Sequence, residues 1–299
     1  MLVMAVFTVG MLVPFTMAGM AFVKEMKDNM PKGYEYPELA DMKITAIAAI
    51  FFAVIEIVMR KVFYKMFIPF CREQDDKLLQ ERRSGKAAFC IYKSIYFIWA
   101  TSWGYIVLKD QPYLPPWFGG SGSIDVSFEG WPYPSHCPSL KNYFLITMGY
   151  HVGGLITHFF SSNKQNDFIE MGLHHIVAIY LFGGAYVYNI LNLGAVVALL
   201  HDIADITTNI VKTLTESNDK TFIAPVFITH MGIWFYTRLL VLPYIIYRLA
   251  VWDIYLGSVI VKPFFCWLLC CMFMLHCYWF KMFCGMLMKY TKSGATEDT

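Results

Sequence analysis

The stretch HHIVAIYLFGGAYVYNILNLGAVVALLHDIADITTNIVK, residues 174–212, decides the architecture. It holds two apolar runs joined at YNILNLG, and its ionisable residues gather at the two far ends. A run of about 20 apolar residues matches the hydrocarbon thickness of a bilayer. Backbone polar groups in hydrocarbon must be satisfied within their own segment, so each run reads as a transmembrane helix. A tight turn between two such helices makes them antiparallel. His174 and His175 then lie on one helix, and His201, Asp202 and Asp205 on the other.

The rest of the chain extends this reading. Hydrophobic residues make up 57% and charged residues 15%, with a mean hydropathy of +0.48. Soluble domains carry about 25% charged residues. Apolar runs fall roughly at 2–23, 43–64, 87–108, 142–161, 168–188, 190–211, 222–247 and 257–281. The expected fold is an all-α polytopic membrane protein of about eight transmembrane helices. No alternating ten-residue pattern points to a β-barrel. Three regions follow: N-terminal membrane helices with a basic loop over 1–86, a membrane domain over 87–290, and a polar tail over 291–299. Such a tail is expected to be disordered unless it packs on a partner.

The formal net charge is +2, and no Lys/Arg stripe is interleaved with stacking aromatics, so a nucleic-acid partner is not expected. Of eight cysteines, Cys266, Cys270, Cys271, Cys277 and Cys284 share one apolar stretch without paired CxxC spacing. They read as small buried hydrophobes rather than disulfides or metal ligands. The N-terminus is apolar from its first residue and lacks the basic segment of a signal peptide, so it reads as a retained first membrane helix. Arg60, Lys61, Lys65, Arg72, Lys77, Arg82, Arg83 and Lys86 crowd one loop, and Lys164, Lys212, Lys220, Lys281, Lys289 and Lys292 fall on the same side by parity. The positive-inside rule puts that side and both termini in the cytoplasm or matrix. The Gly-, Pro- and aromatic-rich loop from Asp110 to Leu140 falls outside and is expected to lie at headgroup depth.

All histidines but His136 fall within expected spans. A buried ionisable group in lipid costs several kcal/mol unless partnered. His230 alone reads as a satisfied core histidine, whereas the group at His174, His175, His201, Asp202 and Asp205 is harder to dismiss. His174 and His175 lie about seven residues, or roughly 10 Å, inside their helix, and Asp205 sits about as far from the exit of the next. His201, Asp205, Asn209 and Lys212 fall at i, i+4, i+8 and i+11, which makes one polar face. An Asp beside a His fixes its tautomer and raises its basicity. Two neighbouring carboxylates push their apparent pKa values apart. Such a set suits general-base activation of an amine or hydroxyl, or a covalently acylated histidine. It also suits a polar network that joins helices, or ion and proton handling. His and Asp are ligands for zinc or iron. Adjacent histidines on a helix cannot both point at one ion, however, so no metal is assigned.

These residues resemble a known family. The order of paired His, Asn and Gly, then His-Asp with a second Asp three residues on is similar to the signature of TLC-domain proteins, ceramide synthases above all. Here the positions are His174 and His175, Asn189 and Gly194, His201 and Asp202, and Asp205. RLLVLP from Arg238, LHCYW from Leu275, and the loop segments PPWF and GWPYP resemble further family segments, and the similarity covers roughly 87–290. The resemblance implies a six-helix barrel around a lipid chamber and a membrane enzyme of the endoplasmic reticulum, with another organelle membrane such as the mitochondrial inner membrane left open. It implies transfer of a fatty acyl group from acyl-CoA to the amine of a sphingoid base, with no cofactor beyond acyl-CoA as substrate. One of His174 and His175 would attack the thioester and carry the acyl group. His201, Asp202 and Asp205 would orient the histidines and accept the amine proton. Asn189, Asn209, Lys212, Arg238, His276 and Trp279 would contact substrate. CoA would dock on a basic rim formed by Lys212 and the Arg60–Lys86 loop.

Two positions depart from the family pattern. Asn192 stands where an Arg is usual, and Asn209 where a Glu is usual. The alternative to the enzyme is therefore a noncatalytic structural or lipid-binding subunit of a membrane complex, which keeps its His/Asp network because breaking a buried network is destabilising. Partners in that case are a bound membrane lipid and a homodimer or larger assembly. A transporter would need an inverted repeat or matching broken helices, and the chain has neither.

Overall fold

The computed structural model describes residues 2–160, 167–252 and 260–293. Lys164, the beginning of the expected 257–281 span and the tail from 294 onward lie outside the described residues. Among the described residues, eight long helices follow one another: α1 Leu2–Asp28, α2 Met42–Phe67, α3 Lys77–Leu108, α4 Pro138–Phe160, α5 Phe168–Val187, α6 Leu191–Glu216, α7 Ile223–Val251 and α8 Val261–Ser293. Among the described residues, helices α1, α2, α5, α6, α7 and α8 are long and apolar enough to cross a membrane. The other two have the length but not the hydropathy. Lys93, Ser94, Thr101 and Ser102 with several Tyr and Trp dilute the apolar part of α3, and His151 and His158 dilute that of α4.

Much of the apolar surface points outward. Val6, Val9, Val13 and Met17 of α1 and Ile47, Ile50, Phe51, Val54 and Ile57 of α2 are all exposed. Continuous apolar faces of this kind are rare on soluble monomers and are the normal state of a helix in lipid. The chain is an integral membrane protein of all-α class.

Its helices form two compact units, each built from three stretches of chain. One comprises Met1–Ala53, Gly104–Ala198 and Leu242–Leu275; the other comprises Val54–Trp103, Leu199–Val241 and His276–Thr299. In the first unit, α2 and α4 touch through small residues. A Cβ on Gly149 would lie 2.5 Å from the Ala48 Cβ, and one on Gly153 would lie 2.6 Å from the Ala49 carbonyl oxygen. Only glycine permits that approach. Aromatic packing joins α1 to the end of α5 and the start of α8: Phe15 meets Tyr188, Phe264 and Phe265 at 5.6, 4.8 and 5.3 Å between ring centroids.

The loop between α3 and α4 is tied into the same unit. Trp131 Nε1 donates to the Tyr188 carbonyl at 2.9 Å and Tyr133 Oη to the Met26 carbonyl at 2.8 Å. Arg248 pairs with Asp125 at 2.6 Å. Leu114, Tyr113, Ile124 and Phe128 are buried. Tyr36, between α1 and α2, donates to the Val187 carbonyl at 2.8 Å. Burial pushes its phenol well above the ordinary range, so it stays a neutral donor.

In the second unit, Asp76 caps α3 by accepting from the Leu78 and Leu79 amides at 2.9 and 3.1 Å. The connector before it pairs with the end of α6. The Arg72 amide donates to the Glu216 carbonyl at 3.0 Å and the Asn218 amide to the Phe70 carbonyl at 2.9 Å. The course of α7 widens into a π-helix over Phe235–Val241. Pro243 follows at once. It lacks an amide hydrogen and crowds the carbonyl four residues back, so the preceding turn loosens.

Candidate functional site

Four imidazoles gather in the first unit. The α5 pair, His174 and His175, has ring centroids 5.6 Å apart. His151 of α4 lies 6.4 Å from His174 and 6.2 Å from His175, and His158 lies 6.0 Å from His175. His175 is buried and His174 half-buried. His158 donates from Nε2 to the Phe168 carbonyl at 2.9 Å and stacks on the Phe168 ring at 4.3 Å. A carbonyl only accepts, so the proton sits on Nε2 and the lone pair of neutral His158 on Nδ1. Space for these rings comes from two glycines. A Cβ on Gly154 would lie 3.1 Å from His175 Cε1, and one on Gly172 would lie 3.5 Å from His158 Nε2.

A charged network is built in the second unit. Arg238, only 1% exposed, is the largest fully buried side chain in it. The π turn carries it toward α6 and α8. There Nη2 donates to Asp205 Oδ1 at 2.9 Å and to the His201 carbonyl at 2.8 Å, while Nη1 reaches His276 Nε2 at 3.0 Å. Its guanidinium lies over the Trp234 ring at 4.7 Å, and Trp234 Nε1 donates to the His276 carbonyl at 3.3 Å. His201 Nε2 meets His276 Nε2 at 3.1 Å. Arg238 Nη1 also lies 3.3 Å from His276 Nδ1, and because arginine can only donate, His276 accepts from it at a ring nitrogen. Asp205 keeps 22% of its side chain accessible while Arg238 behind it keeps 1%. The carboxylate is therefore the presented edge and the guanidinium its support. Among the described residues, no group of three or more His, Cys, Asp or Glu side chains is placed to hold a metal ion.

These residues lie within the range of a family match. A profile of the TLC domain matches residues 86–285. The chain belongs to the TLC-domain family. Ceramide synthase 4 of Mus musculus is 31% identical over 227 residues, 73% of this chain and 55% of that protein. ASC1-like protein 3 of Oryza sativa subsp. japonica is 23% identical over 272 residues, 85% of this chain and 92% of that protein. Sphingosine N-acyltransferase lac1 of Schizosaccharomyces pombe is 28% identical over 195 residues, 59% of this chain and 47% of that protein. The chain thus spans about half the length of the mouse and fission-yeast relatives.

Within the TLC match, each residue singled out from the sequence has a definite place. His201, Asp205, Arg238 and His276 are joined by the contacts above. Asp202 is buried on the same helix. Trp279 lies one turn beyond His276, with ring centroids 6.0 Å apart. Asn209 is buried and donates to the Asp205 carbonyl of its own helix at 2.7 Å. Lys212 lines a basic cavity near the end of α6. His174 and His175 stand in the imidazole group of the first unit.

Asn189, expected to contact substrate, shapes the turn between α5 and α6. It ends α5 in the left-handed conformation, with φ of 54°. The amides of Asn189 and Ile190 close back on the Tyr186 and Ala185 carbonyls at 3.2 and 2.8 Å, which is a Schellman stop. Its side chain donates to the Pro132 carbonyl at 2.9 Å and accepts from His136 Nε2 at 2.7 Å. The other nitrogen of His136 meets Asn192 Oδ1 at 2.9 Å. The departure at Asn192 is therefore absorbed by a histidine from the loop.

Sequence reasoning singled out neither His136 nor the α4 pair. The seven-residue spacing of His151 and His158 puts both on one helical face, and that signal was present. Nothing in the sequence marked His136 as the partner of residues 53 and 56 positions away. His230, read as a core histidine, is 1% exposed. Its Nδ1 lies 3.0 Å from Thr207 Oγ1, whose own proton goes to the Ala204 carbonyl at 2.9 Å.

Proposed function

We propose that this protein transfers a fatty acyl group from acyl-CoA to the amine of a sphingoid base, within a membrane of the endoplasmic reticulum. One imidazole of the His174–His175 pair attacks the thioester carbonyl. The carbon–sulfur bond breaks and CoA leaves as its thiol. The amine then attacks the acyl-imidazole, the amide bond forms and the histidine is regenerated. The imidazole nitrogen takes up the amine proton as its bond to the acyl carbon breaks. The observation that carries this reading is the set of four imidazoles that the pair forms with His151 and His158, at ring distances of 5.6 to 6.4 Å. Names such as ceramide synthase and sphingosine N-acyltransferase among the relatives support it. The test is acyl transfer by the purified protein in detergent, with a histidine-bound acyl adduct sought by mass spectrometry. His174→Ala and His175→Ala are expected to abolish amide formation in at least one case. Full activity in both would end the proposal.

A second reading, a noncatalytic lipid-binding subunit of a membrane complex, is favoured by one feature. The first unit has an apolar crevice of ≈ 340 Å³ lined by Phe15, Gly19, Met42, Met148, Tyr180 and Val187, among others. It suits one lipid chain. Native mass spectrometry separates the readings: a retained lipid with no turnover of acyl-CoA supports the subunit.

A further inference from the structure

His151 and His158 share one face of α4. Gly154 lies between them, and the His175 ring rests against it. A Cβ on Gly154 would lie 3.1 Å from His175 Cε1 and 3.7 Å from each of its ring nitrogens. His175 therefore sits in a notch with an imidazole on either side, His151 at 6.2 Å and His158 at 6.0 Å between centroids. The flanking rings differ in depth. His158 is half-buried in the last turn of α4, whereas His151 lies about 10 Å further along the helix axis. His175 is 7% exposed, so the short way from it to the membrane surface at the end of α4 runs past His158. His201 and His276 hydrogen-bond directly with centroids 5.2 Å apart. A separation of 6.0 Å is closed by a small side-chain shift or one water.

The bond from His158 Nε2 to the Phe168 carbonyl and the stacking on Phe168, at 19° between ring planes, fix this ring. Nδ1 is then its one basic atom. Of the helices packed on α4, α5 brings the His174–His175 pair, and α2 meets it through Ala48, Ala49 and Ala53, which do not titrate. We propose that His158 carries a proton from His175 to the membrane surface during amide formation. The inference rests on the acyltransferase reading. A sphingoid base arrives at neutral pH as an ammonium ion, because an alkyl amine gives up its proton only at about pH 10. Its nitrogen bears three protons. The amide keeps one, and one returns to the acylated histidine in place of that given to the CoA thiol. The third must leave before the nitrogen lone pair can attack. His158 borders His175, so His175 is the relaying member of the pair and His174 the acylated one. Neutral His175 takes the surplus proton at one ring nitrogen and gives up the proton of the other to His158 Nδ1. His158 then loses it to water. Histidine chains carry protons in this way inside membranes.

The test is acyl transfer by the full chain in detergent from palmitoyl-CoA to sphinganine, with the acyl-histidine adduct followed by mass spectrometry. His158→Gln keeps an N–H for the Phe168 carbonyl but supplies no base. It is expected to slow amide formation at least tenfold at neutral pH. The adduct should then accumulate, because only the amine half of the reaction has a surplus proton. His158→Ala opens the space beside His175, and added imidazole should raise its turnover several-fold while leaving that of the native protein unchanged. Melting temperatures taken alongside show that each variant is folded; if the glutamine variant unfolds, the alanine variant with imidazole carries the test. Equal amide formation by the native protein and the glutamine variant overturns the relay. Loss of adduct and amide together, without rescue by imidazole, also overturns it and marks His158 as structural. Absence of both adduct and amide in the native protein removes the acyltransferase itself, and the relay with it.

Discussion

Replacing Arg238 by Met keeps the length and apolar stem of the side chain but removes the cation. In the native protein the guanidinium donates to Asp205, to the His201 carbonyl and to His276, and it is 1% exposed. The substitution leaves Asp205 as a carboxylate without that support and the His201 carbonyl without its donor. Breaking a buried ion pair from one side costs about 3–5 kcal/mol. For a domain of 150–250 residues, each kcal/mol lowers the melting temperature by about 2–4 °C. Scanning fluorimetry in detergent should therefore record a fall of roughly 6–20 °C. The diagnostic is the double variant Arg238→Met with Asp205→Asn, which removes both charges together. It should recover about 1–3 kcal/mol relative to the sum of the two single changes. Arg238→Lys should fall between, since one ammonium cannot span the carboxylate, the carbonyl and the imidazole at once. A single Met variant as stable as the parent, or a double variant with no recovery, would refute the network.

Other changes probe separate parts of the structure. Gly154→Ala places a Cβ 3.1 Å from His175 Cε1 and should lower acyl transfer while changing the melting temperature by less than about 3 °C, as read by parallel turnover and fluorimetry. Gly149→Leu wedges α2 from α4, where even a Cβ would lie 2.5 Å from Ala48. Overpacking should cost about 1–3 kcal/mol or more by unfolding in denaturant. Asn189→Gly keeps the left-handed stop but loses the His136 and Pro132 bonds, so a loss of about 1–2 kcal/mol is expected. Asn189→Val loses both bonds and is strained at positive φ, and should be less stable than the glycine variant.

The reach of the sequence differs from residue to residue. That residues 174–212 form two membrane helices follows from run length and the ban on unsatisfied backbone in lipid. The polar face of α6 follows from helical period, and the structure joins its members locally, as in the 2.7 Å bond from Asn209 to the Asp205 carbonyl. Two expected spans, α3 and α4, are helices of full length whose charges and histidines lower their hydropathy below that of the other six. Those same histidines, His151 and His158, complete the imidazole group around His174 and His175.

What period alone determined is which residues share a face; what it left open is which face meets which. Arg238 could be placed on α7 from its sequence, but its pairing with Asp205, 33 positions earlier, depends on the π turn before Pro243 and on the packing of α6, α7 and α8. His136 and Asn189 likewise meet across 53 positions. Local chemistry and the membrane as solvent decide helices and faces, because both act within a few turns of chain. Partner choice between distant segments is a property of packing, and only the folded chain supplies it.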